Sequence, residues 1–232
     1  MDKQSFIEWA RKLQQGYKPN PKVLEQLANV DLIALVGPTG VGKTSIIQKL
    51  GLPYVLSDVS RTPRDGEKDN EVYHFKTDYL QMLNEIKAGN YAQFLVGHNN
   101  EFYGTHVSSF PASGPATIAV IASALSGIRM VGFRKVVPIY ILPPGYAEWM
   151  HRIGTGRAND IQARMAEARE SLPMAFADSE YHFVLNDDIE LAVAEVKSII
   201  EGGGITDHRA ELARSSADQL FGRLGIDDGF AI

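Results

Sequence analysis

Short runs of consecutive apolar residues alternate along this chain with segments whose apolar residues recur every three or four positions. Residues 33–36, 117–121 and 136–142 are of the first kind, which predicts strands covered on both faces. Residues 54–56 and 181–185 are read as further strands. Helical spacing follows Gly42 and recurs in Tyr79, Met82, Leu83 and Ile86, in Ile161, Met165 and Ala168, and in Ala192, Val196 and Ile199, with Asp188 placed to cap the last. Strands alternating with helices predict an α/β fold, a central parallel sheet flanked by helices. Between the second strand and Ser109 charged turns and the run 91–96 interrupt that rhythm, marking an inserted subdomain over about 57–108.

Both ends carry helical patterns of their own. Ser5 and Glu8 form a capping-box pattern ahead of Phe6, Trp9, Ala10 and Leu13, which share one face of a helix ended at Gly16. After a linker at 17–21, Val23, Leu24 and Leu27 suggest another short helix, so 1–30 is read as an N-terminal extension to a main domain at 31–201. Ala213, Ala217, Leu220, Phe221 and Leu224 form an apolar stripe in a C-terminal extension at 205–232. Docking on its own domain is the expected use of that stripe; a homo-oligomer built through the terminal helices is the sharper alternative.

Composition narrows the class. The 232 residues are 44% hydrophobic and 22% charged, enough apolar material for a full core. A net charge of -5 argues against a general nucleic-acid binder and confines any basic site to a local patch. The absence of cysteine excludes disulfides and thiolate chemistry. No apolar run approaches bilayer length and Met1-Asp2-Lys3 leads into no signal core, so the expectation is a cytoplasmic protein without a membrane partner. The six histidines show no metal-ligand spacing.

The sharpest chemistry is Gly37-Pro38-Thr39-Gly40-Val41-Gly42-Lys43-Thr44, a G-x4-GK-[ST] loop directly after a buried strand and before a helix at Ser45. Glycines let backbone N–H groups turn toward phosphates, Lys43 neutralises the β and γ oxygens of a nucleoside triphosphate, and Thr44 can ligate Mg²⁺. The expected fold is therefore of P-loop NTPase type, with ATP or GTP as the bound nucleotide and Mg²⁺ beside it. Downstream stand Ser57-Asp58-Val59-Ser60-Arg61-Thr62-Pro63-Arg64-Asp65-Gly66-Glu67 and then Tyr73-His74-Phe75. Arginine forks match phosphate oxygens and a tyrosine hydroxyl adds a neutral donor, so Arg61, Arg64 and Tyr73, helped by Ser57, make a clamp for a second phosphate.

This segment resembles the acceptor-phosphate loop of guanylate kinases, and Tyr103-Gly104-Thr105 resembles the family's YG[ST] element. The resemblance runs from about 31 to 201, through residues 139–144, Arg152, Arg157, residues 161–164 and Asn186-Asp187-Asp188. It implies a phosphoryl transfer from ATP to a small-molecule acceptor, most simply a nucleoside monophosphate such as GMP or dGMP. It also implies a short lid at about 152–160, with Arg157 and Arg164 aimed at the transferring group and Asn186 at the donor base. Tyr103 would meet the acceptor phosphate and Thr105 its base.

Two family features are missing. The glutamate that accepts the paired donors of guanine falls on Phe94, expected to line the acceptor pocket; Gln93 could replace it only if the strand register shifts by one. The aspartates at the end of the third strand are also gone, since Val120, Ile121, Ala122 and Ser123 stand there. Asp58 is a candidate to replace them near the metal, with a plain loop carboxylate as its competing role. Three functions stay open on these residues: a nucleoside-monophosphate kinase with an altered base pocket, a kinase for a sugar phosphate such as ribose 1,5-bisphosphate, and a non-catalytic binding module. The intact Lys43-Thr44 pair speaks against the last, and Arg61, Arg64 and Tyr73 together speak against the second.

Overall fold

A computed structural model describes residues 1–64, 66–97, 99–154 and 161–225. In chain order the elements are α1 (Lys3–Gln14), α2 (Pro21–Leu27), β1 (Val30–Val36), α3 (Lys43–Leu50), β2 (Ser57–Val59), β3 (Tyr73–Phe75), α4 (Tyr79–Lys87), β4 (Tyr91–Val96) and β5 (Phe102–His106). There follow β6 (Gly114–Ala119), α5 (Ala122–Met130), β7 (Lys135–Leu142), α6 (Tyr146–Gly154), α7 (Ile161–Phe176), β8 (His182–Leu185), α8 (Ile189–Ile200) and α9 (Asp207–Leu224). One four-stranded sheet has the order β6-β1-β7-β8, and a second has the order β3-β2-β5-β4. The first is the parallel sheet of an α/β fold, with β7 and β8 in register from Ile139↔His182 to Leu142↔Leu185. Its strands are apolar on successive residues because both faces are covered, and β7 is buried from Val137 to Leu142.

Two compact units share the chain: Met1–Leu32 with Pro53–Ile118 and Ser126–Val136, and Ile33–Leu52 with Ala119–Leu125 and Val137 onward. In the first unit α1 is a structural member. Phe6, Ile7 and Ala10 of α1, Met82, Leu83 and Ile86 of α4, and Tyr91, Phe94 and Phe102 of the second sheet form one apolar cluster. The helix differs from its expected outline at two points. Its cap is Asp2, whose carboxylate accepts from the Ser5 amide at 2.9 Å, and Trp9 lies on the exposed side while Ile7 is buried. The strand expected at 54–56 begins at Ser57, and Tyr54 forms an isolated bridge to Thr117.

In the second unit the predicted stripe of α9 is buried against its own unit, from Ala213 to Leu224. Arg209 fastens the start of that helix, donating to Glu195 at 2.6 Å, to Asp187 at 2.9 Å and to the Leu185 carbonyl at 2.9 Å. Arg209 and Glu195 are each only 12% exposed, so removing one partner strands a buried charge. Arg209→Ala is expected to lower stability by about 2–4 kcal/mol, seen as a reduced urea midpoint at unchanged slope. Among the described residues no helix is long and apolar enough to cross a membrane.

Candidate active site

In the second unit the phosphate loop joins β1 to α3, which opens at Lys43. Gly40 and Gly42 have φ of 89° and 98°, a region that side-chain-bearing residues rarely enter. A Cβ on Gly40 would lie 2.5 Å from Ile153, and one on Gly42 would collide with the Asn186 amide. The loop is thus held in shape from outside. Trp149 donates to the Thr39 carbonyl at 2.9 Å, and Asn186, itself buried, donates to the Val41 carbonyl at 2.7 Å. Lys43 Nζ lies over the loop, donating to the Gly37 and Pro38 carbonyls. Thr44 and Ser45 occupy the first turn of α3, where helix amides point outward. From α7, Glu167 accepts a bond from Thr39 at 3.1 Å, one turn beyond Arg164, which is buried and donates to the Ile153 carbonyl at 3.5 Å.

Burial pulls the Lys43 ammonium below its ordinary value of 10.5, and the Glu167 carboxylate partly opposes that pull. The charged form exists below the lowered value and is lost as pH rises through it. We therefore expect kcat/KM for ATP to fall on the alkaline side at a pH below 10.5. A pH profile whose only alkaline limb lay at or above that value would remove burial as the controlling factor.

The first unit carries the acceptor candidates on one face of the β3-β2-β5-β4 sheet. Side chains alternate between faces along a strand, and directly paired residues share a face. The pairs Gln93↔Thr105, Leu95↔Tyr103, Val59↔Tyr103, Ser57↔Tyr73 and Val59↔Phe75 place Gln93, Thr105, Ser57, Tyr103 and Tyr73 together. Gln93 donates to Thr105 at 3.2 Å, and the Thr105 and Ser57 hydroxyls are 3.3 Å apart. Arg61 sits 5.0 Å from the Tyr73 ring and 5.2 Å from that of Phe75, and forks onto Glu67 at 2.6 and 3.1 Å. Burial works against the Arg61 charge, but Glu67 outweighs it and holds the guanidinium above its ordinary pKa. Glu67 also accepts from the Arg64 amide at 2.9 Å, so one carboxylate ties the Arg61 side chain to the Arg64 backbone. Asn99 donates to the Tyr103 hydroxyl at 3.0 Å.

The opposite face holds Phe94, which corrects its expected place in the acceptor pocket. Phe94 is 6% exposed, stacked on Phe102 with ring centroids 5.4 Å apart, and edge-on to Tyr17 at 4.7 Å. Gln93, Phe94 and Leu95 pair in unbroken register with Thr105, Gly104 and Tyr103, so Gln93 shares the face of Tyr103 and Phe94 takes the other, facing the core. Asp58 lies on the same inner side, where it is buried, accepts from the Tyr91 hydroxyl at 2.7 Å and has Lys76 at 3.7 Å.

A family model described as guanylate kinase matches residues 29–202. The guanylate kinase of Prochlorococcus marinus is 32% identical over 188 residues, spanning 73% of this chain and 96% of its own length. The chain belongs to the guanylate kinase family. The guanylate kinase of Corynebacterium diphtheriae is 30% identical over 190 residues, 74% of this chain and 94% of its own. The guanylate kinase structure from Anaplasma phagocytophilum shares the fold with a TM-score of 0.55 at 19% identity, covering 81% of this chain and 95% of that one.

For this guanylate kinase family member the structure brings together Gly37, Thr39, Gly40, Val41, Gly42, Lys43, Thr44 and Ser45 as one loop and helix start, as their spacing predicted. Asn186, expected at the donor base, is seen bracing that loop. Arg157 lies outside the described residues, as do residues 155–160 of the expected lid. Sequence reasoning passed over Glu167 and the bracing Trp149. The first is three residues beyond Arg164, a spacing that puts both on neighbouring turns of one helix face.

Proposed function

We infer that the protein transfers the γ-phosphoryl group of ATP to the phosphate of a guanine nucleoside monophosphate, GMP or dGMP, giving the diphosphate. The observation that carries this reading is the pairing of a braced phosphate loop around Lys43 with a sheet face that sets Arg61, Tyr73 and Tyr103 beside Ser57, Thr105 and Gln93. The positive-φ glycines and the outward amides of α3 suit a polyphosphate, and they support ATP as the donor. Magnesium fits as well. Among the described residues no group of three or more histidines and carboxylates gathers for a metal, so the ion would be held by Thr44 and the nucleotide's phosphates. When bound, it would neutralise charge on the β and γ oxygens.

The protein's own part is positioning and charge. Arg61, with Arg64 and Tyr73, would hold the acceptor phosphate, and Glu67 keeps the Arg61 fork in one orientation until that phosphate shares it. Lys43 would bring its ammonium to the donor phosphates, and Arg164 would add positive charge from α7. The likeness to nucleotide kinases over residues 29–202 favours this activity over sugar-phosphate transfer or a binding module. ADP formation from Mg·ATP with GMP, dGMP, the other nucleoside monophosphates and ribose 1,5-bisphosphate tests it. Turnover of the guanine nucleotides supports the reading, and silence with every nucleotide overturns it.

A further inference from the structure

Resting on the Lys43 loop as the donor site, we propose that Arg209 of α9 is a positioning residue for the donor nucleotide: it fixes the Leu185–Asp187 turn, and through Asn186 that turn fixes the phosphate loop. Helix α9 starts at Asp207, beyond residue 202 where the family match ends, so the brace comes from the C-terminal extension and not from the matched kinase sequence.

The geometry is a relay of bonds within the second unit. Asn186 reaches the loop with its side chain, donating to the Val41 carbonyl at 2.7 Å. Its amide packs so closely on Gly42 that a Cβ there would lie 2.3 Å from the nitrogen, so a shift of Asn186 is felt directly by the loop. The Asn186 backbone is tied in turn: its N–H donates to the Leu142 carbonyl at 2.8 Å, and its carbonyl accepts from Arg152 at 3.2 Å. Arg209 grips the residues on either side, one nitrogen donating to the Leu185 carbonyl and another to the Asp187 carboxylate, each at 2.9 Å. A planar guanidinium sets the spacing of the two groups it bonds, as a rotatable ammonium cannot. The helix that carries Arg209 is itself anchored. Ser216 donates to the Pro143 carbonyl, and Arg169 of α7 donates to the Leu224 carbonyl at 2.8 Å.

The third contact of Arg209, from Nε to Glu195 at 2.6 Å, neutralises a carboxylate that is 12% exposed. Stability rests on that contact, and the shape of the turn rests on the other two. Without the fork the turn samples other arrangements, and a nucleotide that binds only the braced one sees its apparent Kd rise by the inverse of the remaining fraction. By linkage, a bound nucleotide should in return protect the first turn of α9.

The test is calorimetric binding of Mg·ADP to the wild type, Arg209→Met and Glu195→Gln, each at a temperature where it is folded, beside hydrogen exchange of the wild type with and without Mg·ADP. Arg209→Met is expected to weaken ADP by about tenfold, while Glu195→Gln, whose amide oxygen still accepts from Arg209, should stay within about twofold of wild type. Mg·ADP should slow exchange of the amides at 210–213 by about threefold or more and leave those of α4 in the first unit unchanged. An Arg209→Met protein that bound ADP within about twofold of wild type would overturn the proposal, and so would an equal loss in Glu195→Gln, which would reduce Arg209 to a stability residue. Unchanged exchange at 210–213 would overturn it as well, a result that does not depend on any variant folding. Absence of ADP binding in the wild type would overturn the donor reading and this proposal together.

Discussion

Lys43→Ala is expected to reduce kcat for ATP-dependent transfer by about 10²–10³-fold, roughly 3–4 kcal/mol of transition-state stabilisation, while leaving the melting temperature nearly unchanged. The loop does not take its shape from the lysine. Gly40 and Gly42 sit in a left-handed conformation, and Trp149 and Asn186 hold the Thr39 and Val41 carbonyls. What the substitution removes is one ammonium in a buried setting, where a fixed charge acts more strongly on developing phosphate charge than it would in water. Because that charge acts mainly in the transition state, kcat and kcat/KM should fall together. ADP-release kinetics beside a thermal melt check both halves. A large loss of stability would mean that the lysine's bonds to Gly37 and Pro38 hold the loop after all.

Phe94→Ala is expected to act in the opposite way, costing about 3–5 kcal/mol of stability and leaving acceptor KM within about twofold wherever the protein stays folded. At about 2–4 °C per kcal/mol for a chain of this size, the melting temperature should drop by roughly 6–20 °C. The ring is enclosed by Phe102, Tyr91 and Tyr17, so truncation opens a cavity between the second sheet and α1. Neither polar partner nor acceptor face loses a contact. Melting curves and steady-state kinetics at low temperature separate the effects, and a rise in KM at unchanged stability would put Phe94 back in the pocket.

The architecture was readable because its signals are local. A buried strand, a glycine loop and a helix in immediate succession leave little freedom, and the predicted strands at 33–36, 117–121 and 136–142 fall within or beside β1, β6 and β7. The acceptor side was readable as a list of residues but not as a surface. Which of Gln93 and Phe94 faces out follows from the pairing of Leu95 with Tyr103, a cross-strand register that residue types alone do not announce. The side of α1 was misjudged for a related reason: Trp9 and Ile7 are both apolar, and only the position of the partner sheet decides which is covered. Glu167 was silent because a lone helix carboxylate carries no pattern of its own; its bond to Thr39 spans 128 residues.

The packing of α1 bears on how this protein should be cut for expression. Recognisable kinase sequence begins at residue 29, yet the apolar cluster behind the acceptor face draws Phe6, Ile7 and Ala10 from ahead of that point. A fragment trimmed to the family boundary would bare Phe94, Phe102 and Met82 as one sticky apolar surface, and its insolubility could be mistaken for an inactive enzyme. Homology boundaries and folding boundaries part company here by a whole helix, and expression fragments should respect the second.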